Sequence, residues 1–319
     1  MEALTIFSVF VLICLVLLAL IWFSDCDLLL LWKSHYGAKN ESLAGKVVWI
    51  TGASSGIGEF LAYELAKNKC HLVLSARRTD ELERVKNNCL AKGGLKRENV
   101  VVLRLDVLDF NSHFDAVRKV QDRFGKIDIL VNNAGRSQRA MAMDTSNEVE
   151  KHLMQINVLS VTSLTKTVLP FMIRNGGGHI VVNSSLAGKT GSPFSAAYSA
   201  TKFALQGWFD ALRTEQTENN IRVTMICPGP VFSNLRKSSY TEVLESSNEE
   251  MHPSEKRMST ERCAQLMTVA IVNEVYEAWI SQNPHLMFAY CAQYIPTTFK
   301  WVAGIIGLQF IKKVRFWKT

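Results

Sequence analysis

The stretch Val47–Glu59, VVWITGASSGIGE, decides the fold of this chain. It opens with apolar and β-branched residues that predict a buried strand, and it continues through three glycines into a helical pattern. The spacing is G-x-x-x-G-x-G rather than G-x-G-x-x-G, but in either spacing glycine lets a pyrophosphate approach the backbone at a helix N-terminus. The turn therefore predicts dinucleotide contacts at Gly52, Ser54, Ser55, Gly56, Ile57 and Gly58.

Short apolar runs recur along the rest of the chain, separated by helical patterns such as Tyr198–Glu215. Continuously apolar strands that alternate with helices predict a parallel sheet covered on both faces, which is the single-domain, doubly wound α/β fold. In such a sheet, ligands bind along the edge where the strands end. The predicted strands are Val47–Ile50, His71–Ser75, Val100–Leu105, Ile127–Val131, His179–Asn183, Arg222–Cys227 and a seventh near His285–Tyr290.

The composition is that of a globular protein, with 319 residues, 48% of them hydrophobic and 20% charged. The net charge of +7 comes from scattered Lys and Arg residues without an aromatic-basic motif, so we expect no nucleic-acid partner. The seven cysteines and seven histidines are dispersed along the chain. They predict neither a disulfide framework nor a metal site.

An apolar segment at the N-terminus, Ala3–Phe23, carries no charged residue over 21 positions. At about 1.5 Å per residue, a helix of this length crosses a bilayer core of about 30 Å. We expect residues 1–28 to be a membrane anchor or signal-anchor with membrane lipid as a partner, and a cleaved signal is the alternative. The side of the membrane stays open, because the lysines after the segment favour a cytosolic domain while a sequon at Asn40 is usable only in a lumenal one.

The remaining chain divides into three predicted parts: a linker over residues 29–45, the α/β domain over residues 46–300, and an apolar and basic tail over residues 301–319. The tail is too short to span a bilayer, so it could lie at the membrane surface or complete the core. Within the domain, Ser238–Arg262 is long and polar for a loop. A stretch of this kind predicts a substrate lid or a surface insert.

The end of the second strand predicts which dinucleotide binds. An NAD site would have a carboxylate there for the ribose 2′-hydroxyl, but the sequence continues with Ala76 and Arg77. A guanidinium can bind a 2′-phosphate and stack on adenine, so Arg77 favours NADP(H) over NAD(H). We expect Arg78 to be a solvated residue at the start of the next helix.

Polar residues also follow the next strands. Asp106 could accept a hydrogen bond from the adenine amino group or cap the next turn. Asn133, in Asn132-Asn133-Ala134-Gly135, can bond neighbouring backbone and brace the sheet edge near the cofactor. After the sixth strand, Pro228-Gly229 and Ser233 form a loop that can wall the nicotinamide.

Tyr198 and Lys202 are spaced i, i+4, which puts both side chains on one face of a helix. Carbonyl reduction needs an acid, and a free tyrosine with a pKa of about 10 must be shifted by about three units to ionise near neutrality. A cation about 4 Å away supplies about that much, so we expect Lys202 together with a cationic nicotinamide to lower the pKa of Tyr198. Tyr63 and Lys67 have the same spacing, but no serine strand accompanies them, and we interpret that pair as structural.

Two further residues complete the predicted catalytic group. Ser185 closes the fifth strand, where its hydroxyl can hold the substrate carbonyl oxygen. Asn157 lies in an apolar helix and needs hydrogen-bond partners there. It could order a water relay to Lys202 or satisfy a kinked backbone.

Together these residues resemble the short-chain dehydrogenase/reductase family, in the family's order over about residues 46 to 290. The resemblance implies a seven-stranded Rossmann sheet, an oxidoreductase, and an Asn157-Ser185-Tyr198-Lys202 tetrad with Tyr198 as acid or base and Lys202 also on the nicotinamide ribose. Within the family, the apolar head, LVLSARR and ICPGPV resemble the member seven group. That group is similar to microsomal carbonyl reductases acting on steroids and retinoids, which implies the endoplasmic reticulum membrane.

The resulting expectation is NADPH-dependent reduction of a lipophilic carbonyl compound, or the reverse oxidation. The alternatives are an NAD-dependent alcohol dehydrogenase and a non-catalytic membrane scaffold. Members of the family are commonly dimers or tetramers, so the chain could form a homodimer.

Overall fold

A seven-stranded parallel sheet forms the centre of the computed structural model, which describes residues 2–251 and 255–315. The strand order is β3-β2-β1-β4-β5-β6-β7, and every neighbouring pair is parallel. The order reverses between β1 and β4, so the predicted doubly wound fold is confirmed. The strands are β1 Val47–Thr51, β2 His71–Ala76, β3 Val100–Arg104, β4 Ile129–Asn132, β5 Gly178–Asn183, β6 Ile221–Pro228 and β7 Glu277–Ile280.

Helices cover both faces of this sheet and extend beyond it at the two ends of the chain. One turn of π-helix, Gln155–Leu159, joins two of them into a long bent helix. The helices are α1 Glu2–Phe23, α2 Leu28–Tyr36, α3 Gly56–Lys67, α4 Thr79–Gly93, α5 His113–Phe124, α6 Asn147–Met154, α7 Ser160–Arg174, α8 Ala196–Glu215, α9 Thr260–Val272, α10 His285–Tyr294 and α11 Pro296–Arg315.

The core consists of two apolar layers, one on each face of the sheet. Alternate residues of β1 divide between them, because successive side chains of a strand point to opposite faces. Val48 and Ile50 pack in the layer that contains α3 and α9, whereas Trp49 packs in the other layer with Phe209 of α8. Both faces of the sheet are therefore buried, as the continuously apolar strands predicted.

The predicted position of the seventh strand was wrong. The strand is Glu277–Ile280, and the apolar run His285–Tyr290 belongs to α10. A short apolar run has no periodicity that separates a buried strand from a buried helix. The real strand was missed because it has only four residues and begins with a glutamate.

The predicted linker, residues 29–45, is folded and packs against the domain, and its role as the boundary between anchor and domain stays a prediction. These residues contain most of α2 and a 3₁₀ turn, Asn40–Leu43, and Leu30 is fully buried. Asp27 fixes the start of α2, since its carboxylate accepts hydrogen bonds from the backbone N–H of Leu30 at 2.9 Å and of Trp279 in β7 at 2.6 Å. This segment is thus joined to the edge of the sheet.

Two helical stretches are long and apolar enough to span a membrane. One, Asn147–Arg174, is 56% buried in the domain and is a core helix. The other, Leu4–Phe23 in α1, has a mean hydropathy of 3.2 and no buried surface. The end of α1 contacts the domain through Asn283, whose side-chain amide donates to the carbonyls of Ile21 at 2.7 Å and Trp22 at 2.8 Å.

The predicted tail is most of α11, which follows α10 directly. Its outer face is apolar and exposed, with Trp301 and Ile305 each about two-thirds accessible. Its other face, with Phe299 and Val302, borders the large cavity described below. One face of the helix therefore forms part of the cavity wall, and the other face is an exposed apolar surface.

Candidate active site

The glycine turn between β1 and α3 leaves an open backbone cradle at the point where the strand order reverses. Gly52 has φ +66°, and a Cβ on it would lie 2.9 Å from the Cα of Ala134. A Cβ on Gly58 would lie 2.5 Å from both the Asn133 side-chain nitrogen and the Gly52 carbonyl oxygen. Only glycine fits at these positions, because the turn packs closely against Asn133 and Ala134, and it leads into the N-terminus of α3, where a pyrophosphate is favoured.

Asn133 holds this turn in place. Its side-chain amide donates to the carbonyls of Thr51 at 2.9 Å and Gly52 at 3.2 Å. The Thr51 hydroxyl in turn accepts from the backbone N–H of Asn133 at 3.0 Å and of Ala134 at 3.1 Å. Asn133 thus braces the sheet edge, and its direct contact with a cofactor stays a prediction.

The two arginines after β2 lie in different surroundings. Arg78 donates to the hydroxyls of Ser54 at 3.2 Å and Ser55 at 3.3 Å, so its guanidinium lies on the glycine turn. Arg77 borders a separate cavity of about 490 Å³ together with Asp106. The sequence assigned the 2′-phosphate to Arg77 and treated Arg78 as solvated, but Arg78 is the arginine in contact with the phosphate turn.

Asp106 follows β3 and caps the next turn, since its carboxylate accepts from the backbone N–H of Leu108 at 3.1 Å. This is one of the two roles expected from the sequence. The other role, at the adenine amino group, stays a prediction, and the position of Asp106 in the same cavity as Arg77 is compatible with it.

Tyr198, Lys202 and Ser185 border one cavity of about 650 Å³ at the carboxyl ends of the strands. Tyr198 is in the first turn of α8, and Lys202 follows one turn later with its Nζ 5.6 Å from the centre of the Tyr198 ring. The Lys202 ammonium donates to the Asn183 carbonyl at 2.9 Å, which holds it toward the end of β5. Three of the four residues predicted as catalytic thus meet at one place.

Ser185 is oriented by the backbone around it. Its Oγ accepts from the Ala187 N–H at 3.1 Å and lies 3.3 Å from the Pro228 carbonyl oxygen. Its side chain also forms a hydrogen bond with Tyr198. The hydroxyl and the phenol therefore present two hydrogen-bonding groups to the same point of the cavity.

Burial dominates the electrostatics of this pair. It raises the pKa of Tyr198, while the hydrogen bond from Ser185 and the charge of Arg139 act in the opposite direction. The same burial lowers the pKa of Lys202 to about 8. Within the chain the pKa of Tyr198 is thus raised, because the phenol loses solvent, which the i, i+4 spacing does not reveal. The lowering expected from Lys202 together with a cationic nicotinamide stays a prediction.

Asn157 lies in the π-turn between α6 and α7, where it is 1% exposed. Its side-chain oxygen accepts from the Arg136 N–H at 2.8 Å, and its nitrogen donates to the Arg136 carbonyl at 2.8 Å and to the Thr201 hydroxyl at 3.0 Å. These contacts join the loop after β4 to α8. Asn157 therefore braces the site from behind, and the water relay to Lys202 stays a prediction.

Ser233 lies in the loop after β6, in the wall of the large cavity. It faces the phosphate turn, since a Cβ on Gly56 would lie 3.3 Å from the Cβ of Ser233. The loop that begins at Pro228 thus closes the cradle from the side opposite to Asn133. Contact of Ser233 with the nicotinamide stays a prediction.

The polar stretch Ser238–Arg262 packs against the site over its described part. Arg136 donates to the Tyr240 hydroxyl at 2.9 Å and to the Ser238 carbonyl, and its guanidinium stacks 3.7 Å from the centre of the Tyr240 ring. Met251 and Arg257 from the same stretch border the cavity. The position of this segment suits a lid over the substrate region.

Sequence reasoning missed Asn183, the last residue of β5. Its side-chain nitrogen donates to the Asn133 oxygen at 2.8 Å, and its carbonyl accepts from Lys202. Its side-chain oxygen is buried in the cavity wall and has no hydrogen-bond partner among residues 2–251 and 255–315. The available signal was its place directly before Ser184-Ser185 at a strand end.

The second Tyr-x-x-x-Lys pair is structural in its contacts, as the sequence interpretation held. The Tyr63 hydroxyl donates to Glu59 at 2.6 Å inside the core layer of α3. Lys67 pairs with Glu64 at 2.6 Å near the protein surface. Burial, together with Glu59, raises the pKa of Tyr63 to about 12.

These residues fit a dinucleotide. The glycine cradle admits a pyrophosphate, and the hydroxyls and Arg78 supply donors around it. The unpartnered oxygen of Asn183, within the part of the chain that the structure describes, offers an acceptor further along the same edge. The glycine turn, its hydrogen-bond donors and the Tyr198–Lys202 pair thus follow one another along the sheet edge from β1 to β5, which is the arrangement of a dinucleotide-dependent oxidoreductase.

Residues 46–243 match the short chain dehydrogenase family. With the sheet, the glycine turn and the relatives below, this match shows that the chain belongs to the short-chain dehydrogenase/reductase family of oxidoreductases, whose fold binds a nicotinamide dinucleotide.

Particular relatives narrow the comparison. The chain is 46% identical over 298 residues to human dehydrogenase/reductase SDR family member 7, covering 92% of this chain and 87% of the relative. It is 44% identical over 294 residues to the mouse protein of that name, with the same coverage. The X-ray structure of an alcohol dehydrogenase from the archaeon Thermococcus sibiricus, complexed with 5-hydroxy-NADP, has a TM-score of 0.60 at 30% identity and covers 70% of this chain and 88% of that one.

Proposed function

We propose that this protein reduces lipophilic ketones or aldehydes with NADPH, or catalyses the reverse oxidation. The observation that carries the proposal is the meeting of Tyr198, Lys202 and Ser185 in one cavity whose far wall is apolar. When bound, the nicotinamide supplies the hydride in reduction and accepts it in oxidation. Every other part of the chemistry falls to residues of the chain.

Tyr198 Oη is the proton donor in this scheme. Because burial raises its pKa, the phenol stays protonated at neutral pH, which is the state needed to protonate an alkoxide as it forms. Oxidation needs the phenolate as a base and is therefore favoured by alkaline pH. The direction of the pKa shift supports reduction as the reaction at neutral pH.

Ser185 and Lys202 assist that proton transfer in different ways. The Ser185 hydroxyl, oriented by the Ala187 N–H, holds the substrate carbonyl oxygen beside Tyr198. With a pKa of about 8, the Lys202 ammonium keeps most of its charge at neutral pH and stabilises the phenolate left after the proton moves. Its hydrogen bond to the Asn183 carbonyl fixes its position.

The preference for NADPH rests on charge at the end of β2. No carboxylate follows this strand, and two arginines come directly after Ala76. Arg78 lies on Ser54 and Ser55 of the phosphate turn, and Arg77 lies in the neighbouring cavity. Guanidinium groups at this position favour a ribose that carries a 2′-phosphate.

The lipophilic substrate class rests on the cavity wall formed by α10 and α11. Phe288, Ile295, Phe299 and Val302 present apolar surface there. We further propose that α1 anchors the chain in the endoplasmic reticulum membrane, where apolar substrates partition. The unburied apolar surface of Leu4–Phe23 supports membrane insertion, and the choice of organelle rests on the resemblance to microsomal carbonyl reductases.

The test is turnover of a panel of steroid, retinoid and aromatic carbonyl compounds by the full chain in detergent, with NADPH and with NADH. Tyr198→Phe is expected to lower kcat by about 10²- to 10⁴-fold, the usual contribution of a positioned acid. Tyr63→Phe is the matched control, because it removes the same hydroxyl from the structural Tyr-x-x-x-Lys pair. Equal activity of wild type and Tyr198→Phe would refute the assigned acid.

A further inference from the structure

Arg139 is a cavity residue to which the proposed proton transfer assigns no contact with the substrate, although its charge acts on the pKa of Tyr198. It lies between β4 and α6, in the wall of the cavity that holds Tyr198 and Ser185. Its backbone N–H donates to the Tyr240 carbonyl at 2.7 Å, and the next N–H donates to the Phe194 carbonyl at 3.2 Å. Two separate segments thus fix its backbone at the cavity edge.

The side chain of Arg139 is half-buried, and its buried Nε has no hydrogen-bond partner among the described residues. Burial lowers the pKa of Arg139, and the nearby charges of Arg257 and Arg236 add to that effect. A buried guanidinium is costly unless an anion accompanies it. Tyr198 and Glu249 act on this pKa in the opposite direction, but no described residue accepts a hydrogen bond from the Nε of Arg139.

The neighbouring arginines differ in this respect. Arg236 and Arg257 both contact the carboxylate of Glu255 at 2.6 Å. Arg236 also contacts the carboxylate of Glu249 at 3.0 Å, so two carboxylates accompany these two arginines. Among the described residues that border the cavity there is no Asp or Glu, so the end of the cavity near Arg139 is positive while the α10 and α11 wall is apolar.

We propose that Arg139 binds an anionic group of the substrate, so that the preferred substrates are lipophilic carbonyl compounds that also carry a carboxylate. The inference rests on the proposed function and narrows its substrate class. A guanidinium presents two parallel N–H donors to a carboxylate, and the hydrogen bond is charge-assisted on both sides. The carboxylate would lie at the positive end, the apolar chain along α10 and α11, and the carbonyl at Tyr198 and Ser185.

The proposal is tested with medium-chain oxo acids and their methyl esters. In the three kinds of acid, the oxo group is next to the carboxylate, in the middle of the carbon chain, or at the opposite end of the chain. The measurement is kcat/KM for each acid and ester with NADPH, using the full chain. Wild type is expected to prefer the acid of at least one pair. Arg139→Gln is expected to lower kcat/KM for that acid by about 10- to 100-fold through KM, with a much smaller change for the ester.

Two further variants control this measurement. Arg139→Lys keeps the charge without the paired donors and is expected to restore part of the preference for the acid. Arg118→Gln removes an exposed arginine of α5 outside the cavity and should leave the acid-to-ester ratio as in wild type. Equal losses for acid and ester in Arg139→Gln, or an equal rise in KM for NADPH, would overturn the proposal.

A binding measurement separates this inference from the proposed function. The oxo acids are titrated into the Tyr198→Phe chain with and without Arg139→Gln, by calorimetry and in the presence of NADPH. Binding that depends on Arg139 supports the anion site even where no carbonyl compound is turned over by wild type. Binding that is equal in the two chains contradicts it.

Discussion

The sheet edge that forms the site has two halves, and each fixes the groups around its ligand in a different way. From β1 to β4, the site is made of backbone: glycines without Cβ atoms, the N-terminus of α3, and Asn133 bonded to main-chain carbonyls. From β5 to β7, it is made of side chains, Ser185, Tyr198 and Lys202, enclosed by α10, α11 and the polar segment. In the first half, Gly52 and Gly58 leave no room for a Cβ atom. In the second half, the residues of the cavity wall can differ while the catalytic side chains stay the same.

The halves are joined by the pairing of β4 with β5, and at the end of these strands by an amide pair, Asn183 to Asn133 at 2.8 Å. The half from β1 to β4 must fit a dinucleotide, whereas the half from β5 to β7 must fit the substrate. Changes in the first half should therefore act through the cofactor, while changes in the second should act through the substrate and the proton.

The largest effect that would sharpen this comparison is expected from Gly58→Ala. The added Cβ would lie 2.5 Å from the Gly52 carbonyl oxygen, so the cradle must shift or close. We expect NADPH affinity to fall by about 100-fold, equivalent to about 2.7 kcal/mol, and the free energy of unfolding to fall by about 1–3 kcal/mol. Cofactor titration and denaturant unfolding measure the two quantities.

Gly207→Ala is the control for that change. Gly207 is in α8, and a Cβ added to it would meet no neighbouring atom within 4 Å, so the alanine variant should bind NADPH as wild type does. Normal NADPH binding by Gly58→Ala would break the comparison, because the first half would then tolerate an added atom.

A smaller effect, still confined to the first half, is expected from Arg78→Gln. Losing the guanidinium on Ser54 and Ser55 should raise KM for NADPH by about 10-fold, the loss of one charge-assisted contact, and should raise KM for NADH less, because only NADPH carries the 2′-phosphate. Arg77→Gln, measured in parallel, shows whether the other arginine shares the 2′-phosphate. Equal changes in KM for both cofactors would contradict the assignment of either arginine.

The smallest effect is a pH dependence that belongs to the second half. Burial lowers the pKa of Lys202 to about 8, so its ammonium form is half lost at about that pH and further lost above it. Reduction should therefore be constant at neutral pH and should fall by about half near pH 8. Steady-state kcat for a carbonyl substrate, measured from neutral to alkaline pH, follows this decline.

Lys202→Arg keeps its charge over that range and should move the decline to higher pH at a lower maximal rate. A decline on the acidic side instead would contradict the protonated phenol as the acid, because the pKa of Tyr198 is raised and not lowered.

The sequence predicted most of the fold because its signals are local. Six strands were placed within about two residues of their ends, since each is a continuous apolar run. Likewise Tyr198 and Lys202 could be paired from their spacing together with the serines that close the preceding strand. The seventh strand failed because EAWI is too short to carry a pattern.

What the sequence could not give depends on contacts between distant segments. Asn183 meets Asn133 across 50 residues, and Arg78 reaches Ser54 across 24. The position of Arg139 depends on segments that begin far along the chain. The raised pKa of Tyr198 could not be predicted for the same reason, because spacing shows the neighbouring charge but not how deeply the phenol is buried.

The joint between α1 and the domain has a mechanical consequence. Asn283 holds the last turn of α1, and Asp27 ties the following residues to β7, so no free pivot separates the helix from the sheet within the described residues. The direction of α1 therefore also sets the tilt of the sheet and the direction in which its ligand-binding edge faces. The orientation of the α/β domain is therefore coupled to the direction of α1.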